Sequence, residues 1–452
     1  MHALLTDAAR RAMSYLDGVP DRPVAPGDNA IAALAAFDIP LPDEPQAPAE
    51  TLRELDAIGS PATMASGSGR FFGFVFGGAL PVTIASNWLS TAWDQNAAYH
   101  RPSPATAVLE RVALGWVLDA LQLPGAAGGA FVTGATMANF TALAAARHTV
   151  LKRAGWNVDD DGLFGAPPIT VVVGEEVHPT LIKSLGLLGL GRGRVRQVPV
   201  DGQGRMRAER LPRLEGPAIV CTQAGNVNTG AFDPFEAIVA EAHARGAWVH
   251  VDGAFGLWAA ASPVLAPLAA GLAAADSWAT DAHKWLNVPY DSGIAIVRDA
   301  QALMAAMAIT ADYLPVPGDF RNPSEFTPEL SRRARGVDVW AALRTLGRSG
   351  LAELVEGCCR HARRFAHELQ AIGATVLNEV VLNQVLVSFG DADTTRRVVA
   401  ELQHDGTCWC GPTVWQGHTA MRISVCSWAT TDDDVTRSVE AMRRIFLAQR
   451  SA

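Results

Sequence analysis

From about residue 107 the apolar positions of this chain alternate between two periods. Ala107–Leu123 repeats apolar residues at helical spacing and stops before Pro124 and Gly125. Gly128–Val132 is a short apolar run that predicts a buried strand, and Ala135–Arg153, rich in Ala and Leu, predicts a long helix. The β-branched run Ile169–Val173 predicts a strand and His178–Leu188 a helix. Ala218–Thr222, Pro234–Arg245 and Ala247–Val251 then predict a strand, a helix and a strand. Strands that alternate with helices form a mostly parallel sheet covered on both faces. Such sheets bind ligands beyond the carboxyl ends of their strands. Thr133, Thr222, Asp252 and Lys284 all fall at or just past such ends, which predicts one cleft assembled from separate segments.

The pattern differs at both ends of the chain. Residues 1 to about 60 carry short helical stretches such as Leu4–Leu16, broken by Pro20, Pro23, Pro26, Pro40, Pro42, Pro45 and Pro48. They read as an arm lying on another surface, such as a partner subunit. Beyond Arg335, Val337–Leu369 is helical with punctuation at Gly347 and Gly350. Strands near Val376 and Val385, a helix Thr394–Gln403, a strand Met421–Val425 and a helix Asp432–Gln449 follow, which describes a smaller α+β lobe. The expected organisation is therefore an N-terminal arm over 1–95, a large domain over 96–335 and a small domain over 336–452.

Composition narrows the function. The 452 residues, 49% hydrophobic and 18% charged, suffice for a large core, and the net charge of −9 argues against non-specific nucleic-acid binding. No apolar run approaches the ~20 residues that span a bilayer, and the first residues lack a basic region ahead of an apolar core. The 6 cysteines are scattered without disulfide or metal spacing. These features predict a cytoplasmic protein acting on a small molecule, with neither nucleic acid nor membrane as partner.

The candidate chemistry lies in four segments. Lys284 sits in the apolar context Ala282-His283-Lys284-Trp285, where desolvation and a neighbouring cation would free its amine for Schiff-base formation. Asp252 ends an apolar strand, where a buried carboxylate needs a partner such as a protonated pyridine nitrogen. The turn Thr133-Gly134-Ala135-Thr136 opens a long helix whose free N–H groups and dipole favour an anion. His178 follows one strand-helix unit later, placed for its imidazole to stack on a flat ring. Singly, each has a plainer reading, as a helix cap or a structural side chain; in this order they match a pyridoxal phosphate site.

The set resembles the group II pyridoxal-phosphate-dependent amino acid decarboxylases, which include the aromatic L-amino acid, tyrosine and glutamate enzymes. The matching segments are Phe71–Phe74, Ser103–Glu110, Thr133–Arg147, His178, His250–Phe255, Asp281–Leu286 and Arg335–Trp340. The resemblance implies the fold type I (aspartate aminotransferase-like) α/β architecture and a homodimer. It also implies pyridoxal 5′-phosphate as cofactor and α-decarboxylation of an L-amino acid to the amine. Carried over by position, Lys284 would hold the Schiff base, Asp252 the pyridinium nitrogen, and His178 would stack on the ring. Ala135, Thr136 and His283 would bind the phosphate, with Ala254 beneath the ring. Phe74 would line the substrate pocket, where Gly77 and Gly78 leave room, and Tyr99, His100 and Arg101 would enter from the partner subunit. Arg422 is a further candidate for meeting a substrate carboxylate. An aromatic or bulky apolar substrate is expected.

Several positions depart from the family pattern. Gly253 replaces a usual alanine and Met137 a usual acidic residue. Asp281 stands where the aromatic decarboxylases carry asparagine, and a carboxylate there would repel the phosphate unless it turned away. In the mobile loop, a family tyrosine donates a proton; the comparable stretch here has Phe320 and Phe326, with Tyr313 early. Loss of that donor would divert the scaffold toward an aminotransferase, an aldehyde synthase or an aldolase-type lyase, which stand as alternatives. A non-catalytic dimer is the alternative from another class.

Overall fold

The computed structural model describes residues 1–309 and 320–451. Tyr313 and the stretch expected to hold the loop proton donor, apart from Phe320 and Phe326, lie outside the described residues. The chain forms two compact units, one of Gly77–Ala362 with Asn378–Gln384, the other of Met1–Phe76 with Arg363–Leu377 and Val385–Ala452. This division crosses the three consecutive segments expected. Residues 77–95 fall in the larger unit, and the N-terminal stretch shares a unit with the C-terminal one. Within that smaller unit, Arg70 donates to the Thr407 carbonyl at 2.6 Å. The Phe72 N–H reaches the Trp409 carbonyl at 2.8 Å, and the Phe72 carbonyl accepts from the Ser424 N–H at 2.9 Å. Backbone pairing between stretches more than 300 residues apart leaves no trace in composition, which is why a linear reading separates them.

The larger unit is built on β1 (Gly128–Val132), β2 (Thr170–Gly174), β3 (Arg196–Val198), β4 (Ala218–Gln223), β5 (Trp248–Asp252), β6 (Ser277–Asp281) and β7 (Gly293–Val297). They form one sheet in the order β1-β7-β6-β5-β4-β2-β3. Pairing is parallel from β6 through β3, and β7 runs antiparallel to both β1 and β6. The mostly parallel α/β sheet expected is therefore present. The predicted strands reappear within a residue or two at β1, β2, β4 and β5. β6 is buried throughout, yet it consists of Ser, Trp, Ala, Thr and Asp and offers no continuous apolar run.

The helix Ala135–Arg153 begins where predicted and lies on this sheet. Its inward face is Ala138, Ala142, Ala145 and Ala146 with Leu143, all fully buried. Small side chains let the helix axis approach the strands closely, and burying such a face is worth roughly 25 cal/mol per Å² of apolar surface. Two polar residues of the helix, Asn139 and Thr141, are also fully buried.

A second constraint is ionic. Glu110, on the helix Pro104–Ala120, accepts from Arg332 and lies 3.5 Å from Arg321. Arg332 also donates to the Phe131 carbonyl at 3.2 Å, and Arg321 donates to the Gly129 carbonyl and lies over the Phe326 ring at 4.2 Å. The segment around residues 321–332 is thereby fastened to β1. Phe326, weighed above as a loop aromatic, is 9% exposed and packs in the core.

The smaller unit contains β8 (Thr375–Val376), β9 (Gln384–Ser388), β10 (Gly411–Trp415) and β11 (His418–Ser424), in sheet order β10-β11-β9-β8. β10 alternates half-buried and exposed positions, with only Trp415 buried, and carries Pro412, so it lacks the apolar run that marks the others. The helices His2–Gly18, Asp28–Ala33 and Pro48–Glu54 bury none of their residues. All six cysteines are buried and none forms a disulfide. No helix among the described residues is long and apolar enough to cross a membrane.

Glu110→Ala leaves two largely buried guanidinium groups without their carboxylate. We expect it to destabilise the protein by about 3–5 kcal/mol, measured as a lowered urea midpoint, with Glu110→Gln costing less.

Candidate active site

Two neighbouring parallel strands carry the central pair. β5 ends at Asp252 and β6 at Asp281, with Asp252 in register with Ala279. Three residues beyond Asp281, the chain turns and presents Lys284, whose side chain is 18% exposed. The turn is held from several sides. The Ala282 N–H donates to the Ser292 carbonyl at 3.0 Å, and Asn287 Nδ2 donates to the Trp285 carbonyl at 2.9 Å. Gly77 lies against it so closely that a Cβ there would stand 1.7 Å from the Lys284 carbonyl oxygen. The lack of a side chain at Gly77 thus serves a backbone contact, in addition to any room it leaves for a substrate.

Asp252 is 5% exposed. Oδ2 accepts from Asn139 Nδ2 at 3.2 Å and Oδ1 from the Ala254 N–H at 3.3 Å. Both of these hydrogen bonds come from neutral donors. Burial raises its carboxyl above the ordinary aspartate value, against the opposing pull of His178 and Lys284. A buried carboxylate with only neutral donors favours a cationic partner, and a protonated ring nitrogen supplies one.

Lys284 Nζ pairs with Asp281 Oδ2 at 3.0 Å. Asp281 is the polar hub of the site. Its Oδ1 accepts the Ala135 N–H at 2.5 Å, at the first turn of the helix Ala135–Arg153, and lies 3.5 Å from His283 Nε2. The carboxylate therefore does not turn away from the expected phosphate position; it faces the helix terminus, where the dipole favours an anion. His283 Nδ1 accepts the Ser292 N–H at 3.1 Å, which leaves the proton on Nε2, directed at Asp281. Burial lowers the His283 pKa, which favours the neutral ring. The Tyr290 ring lies against it, tilted by 32°, with ring centres 4.3 Å apart. Opposite the helix terminus, a Cβ at Gly293 would lie 2.4 Å from Gly134 Cα, so the start of β7 supports the turn at Gly134.

His178 caps the helix Pro179–Leu187, with Nδ1 2.7 Å from Thr180 Oγ1. Ala254 follows β5 directly, its N–H on Asp252 and its carbonyl accepting the Asp281 N–H at 2.9 Å. Thr136 opens the helix beside Ala135, and its carbonyl accepts from Ser184 Oγ at 2.9 Å. His100 stacks on Phe320 within its own chain, with ring centres 4.1 Å apart, and its N–H donates to Asn322 Oδ1 at 3.2 Å.

In the smaller unit, Phe74 is 55% exposed and packs against Trp409 at 5.3 Å and Phe76 at 5.5 Å. Its φ of 54° and the 63° of Val75 are left-handed, an uncommon state for non-glycine residues and a strained one for a β-branched valine. Arg422 lies on β11 opposite Gly411. Sequence reasoning passed over Asn139 and His250 as site residues. Their signal was a polar side chain on an otherwise apolar helix face and strand.

Comparison with known proteins bears on this geometry. The family profile described as "Pyridoxal-dependent decarboxylase conserved domain" matches residues 33–390. Tryptophan decarboxylase 1 of Oryza sativa subsp. japonica is 26% identical over 435 residues, covering 87% of this chain and 83% of that protein. L-2,4-diaminobutyrate decarboxylase of Rhizobium meliloti is 29% identical over 380 residues, covering 79% and 72%. A crystal structure of Oryza sativa TDC with PLP and tryptamine superposes with a TM-score of 0.91 at 23% identity, covering 99% of this chain and 97% of that one.

Because an alanine methyl at position 77 would collide with the Lys284 backbone, Gly77→Ala must displace the lysine. We expect a loss of turnover on the order of 100-fold, read as the rate of CO2 release.

Proposed function

The chain belongs to the pyridoxal-dependent decarboxylase family, a carboxy-lyase with pyridoxal phosphate as its cofactor, and on that premise we propose that Lys284, Asp252 and His178 remove the α-carboxyl of an L-amino acid. The observation that carries this assignment of roles is the buried carboxylate of Asp252 and the lysine of Lys284 at the carboxyl ends of adjacent parallel strands.

When bound, the cofactor supplies an aldehyde for an amine and a protonated ring that takes up the electron pair left by departing CO2. Lys284 would hold that aldehyde through its amine, and Asp252 would hold the ring nitrogen and keep its proton in place. His178 would stack on the ring and orient the substrate carboxylate, with Ala254 packed beneath. The phosphate would take the helix terminus at Ala135 and Thr136, with His283 beside it. Asp281 already accepts the Ala135 N–H, so the phosphate would share that terminus with a carboxylate whose charge Lys284 balances.

We propose an aromatic L-amino acid as substrate, in keeping with a relative named for tryptophan. We also propose a homodimer working in the cytoplasm, where thiols outside disulfides stay reduced. Leu5, Met13 and Leu16 on the first helix and Trp88, Leu89 and Trp93 on the helix Pro81–Trp93 are exposed, apolar surface of the kind a second subunit covers.

Two results test these readings. Wild-type protein is expected to release CO2 and the matching amine from an aromatic amino acid. Lys284→Ala should abolish that release and the borohydride-reducible attachment of cofactor; attachment retained in the variant would refute the assignment. In sedimentation equilibrium the particle should weigh twice 47.8 kDa, and a monomer would refute the dimer.

A further inference from the structure

Behind Asp252 runs a line of buried polar groups that the roles above do not use. Trp248 Nε1 lies 2.8 Å from Ser277 Oγ. Ser277 Oγ lies 2.9 Å from His250 Nδ1, and His250 Nε2 lies 2.8 Å from Asn139 Oδ1. Asn139 Nδ2 completes the line at Asp252 Oδ2, 3.2 Å away. Ser277, His250 and Asn139 are fully buried, and Trp248 and Asp252 nearly so. The residues come from β5, β6 and the helix Ala135–Arg153, so the line passes through three packed elements.

The donor and acceptor capacities of these groups fix its direction. An indole N–H can only donate, so Ser277 Oγ accepts from Trp248. An ionised carboxylate can only accept, so Asn139 turns its NH2 to Asp252 and its carbonyl oxygen to His250. That oxygen takes the Nε2–H of His250, whose Nδ1 lone pair then accepts the Ser277 hydroxyl proton. With Asp252 ionised, every link has one donor and one acceptor. Burial lowers the His250 pKa to about 3, which keeps the imidazole neutral and able to serve both ends.

We propose that Ser277, His250 and Asn139 are positioning residues, a relay that orients Asp252 and delivers to it a hydrogen bond suited to its ionised form. The relay offsets the burial that drives the Asp252 carboxyl toward neutrality. It thereby sets how tightly the site holds a protonated ring nitrogen. The inference rests on the reading of Asp252 as the partner of that nitrogen.

Cofactor-free protein titrated with pyridoxal 5′-phosphate, and separately with its 1-deaza analogue, tests both levels. The analogue carries carbon in place of the ring nitrogen and cannot use Asp252. His250→Asn lacks a group at the Nε2 position, and Asn139→Leu breaks the last link. Each is expected to weaken pyridoxal phosphate by about tenfold, the scale of a lost hydrogen bond to a charged group, and to leave the analogue unchanged. His250→Gln, whose amide nitrogen reaches the Nε2 position, should restore most of the loss. Equal weakening of both ligands, or of neither, overturns the relay. Asp252→Ala is the control: if it too fails to separate the two ligands, the assignment of Asp252 itself falls. If Asp252→Ala separates them and the His250 and Asn139 variants do not, only the relay falls.

Discussion

A carboxylate held nearly dry is the constraint around which the larger unit is organised. Asp252 occupies the end of β5, where the neighbouring strands and the helix Ala135–Arg153 exclude water. Its charge is tolerated because the surroundings aim donors at it, the Ala254 N–H on one oxygen and the Asn139 amide on the other. The alanine-rich face of the helix serves the same end. Only small side chains bring the helix axis close enough for Asn139 to reach both Asp252 and His250.

The second carboxylate, Asp281, is treated in the opposite way. It receives a direct cation from Lys284, a helix N–H from Ala135 and the Nε2 side of His283. Two buried aspartates at the ends of adjacent strands thus sit in different settings, one hydrogen-bonded by neutral donors and one paired directly with a lysine. The first suits a cationic ring atom, and the second anchors the amine and the helix terminus. The carboxylate at position 281 is tolerated at the helix start because its charge is matched locally by Lys284.

Shape enforces the same arrangement through glycines. Gly77 allows its segment to lie on the Lys284 carbonyl, and Gly293 allows β7 to lie on Gly134. Both contacts are backbone against backbone, so neither neighbour can yield by turning a side chain. The turn that bears the lysine and the turn that opens the helix Ala135–Arg153 are each fixed by a position where no side chain fits.

Much of this was legible in the sequence. The predicted boundaries of β1, β2, β4, β5 and the helix Ala135–Arg153 fall within a residue or two of the observed ones, because continuous apolar runs and helical spacing are local properties. The order of Gly134, His178, Asp252 and Lys284 identified the class of chemistry, since each lies at a strand or helix end. Tertiary structure alone decided the rest. β6 is buried by its neighbours and not by its own hydrophobicity, so its five residues carry no local signal. The pairing of residues near 72 with those near 409 and 424 joins distant stretches into one unit. Asn139, His250 and Ser277 look unremarkable one at a time, because a hydrogen-bonded line exists only once three elements are packed. The sequence determined which groups were available and at which element ends; packing determined which of them meet, and so which carry charge.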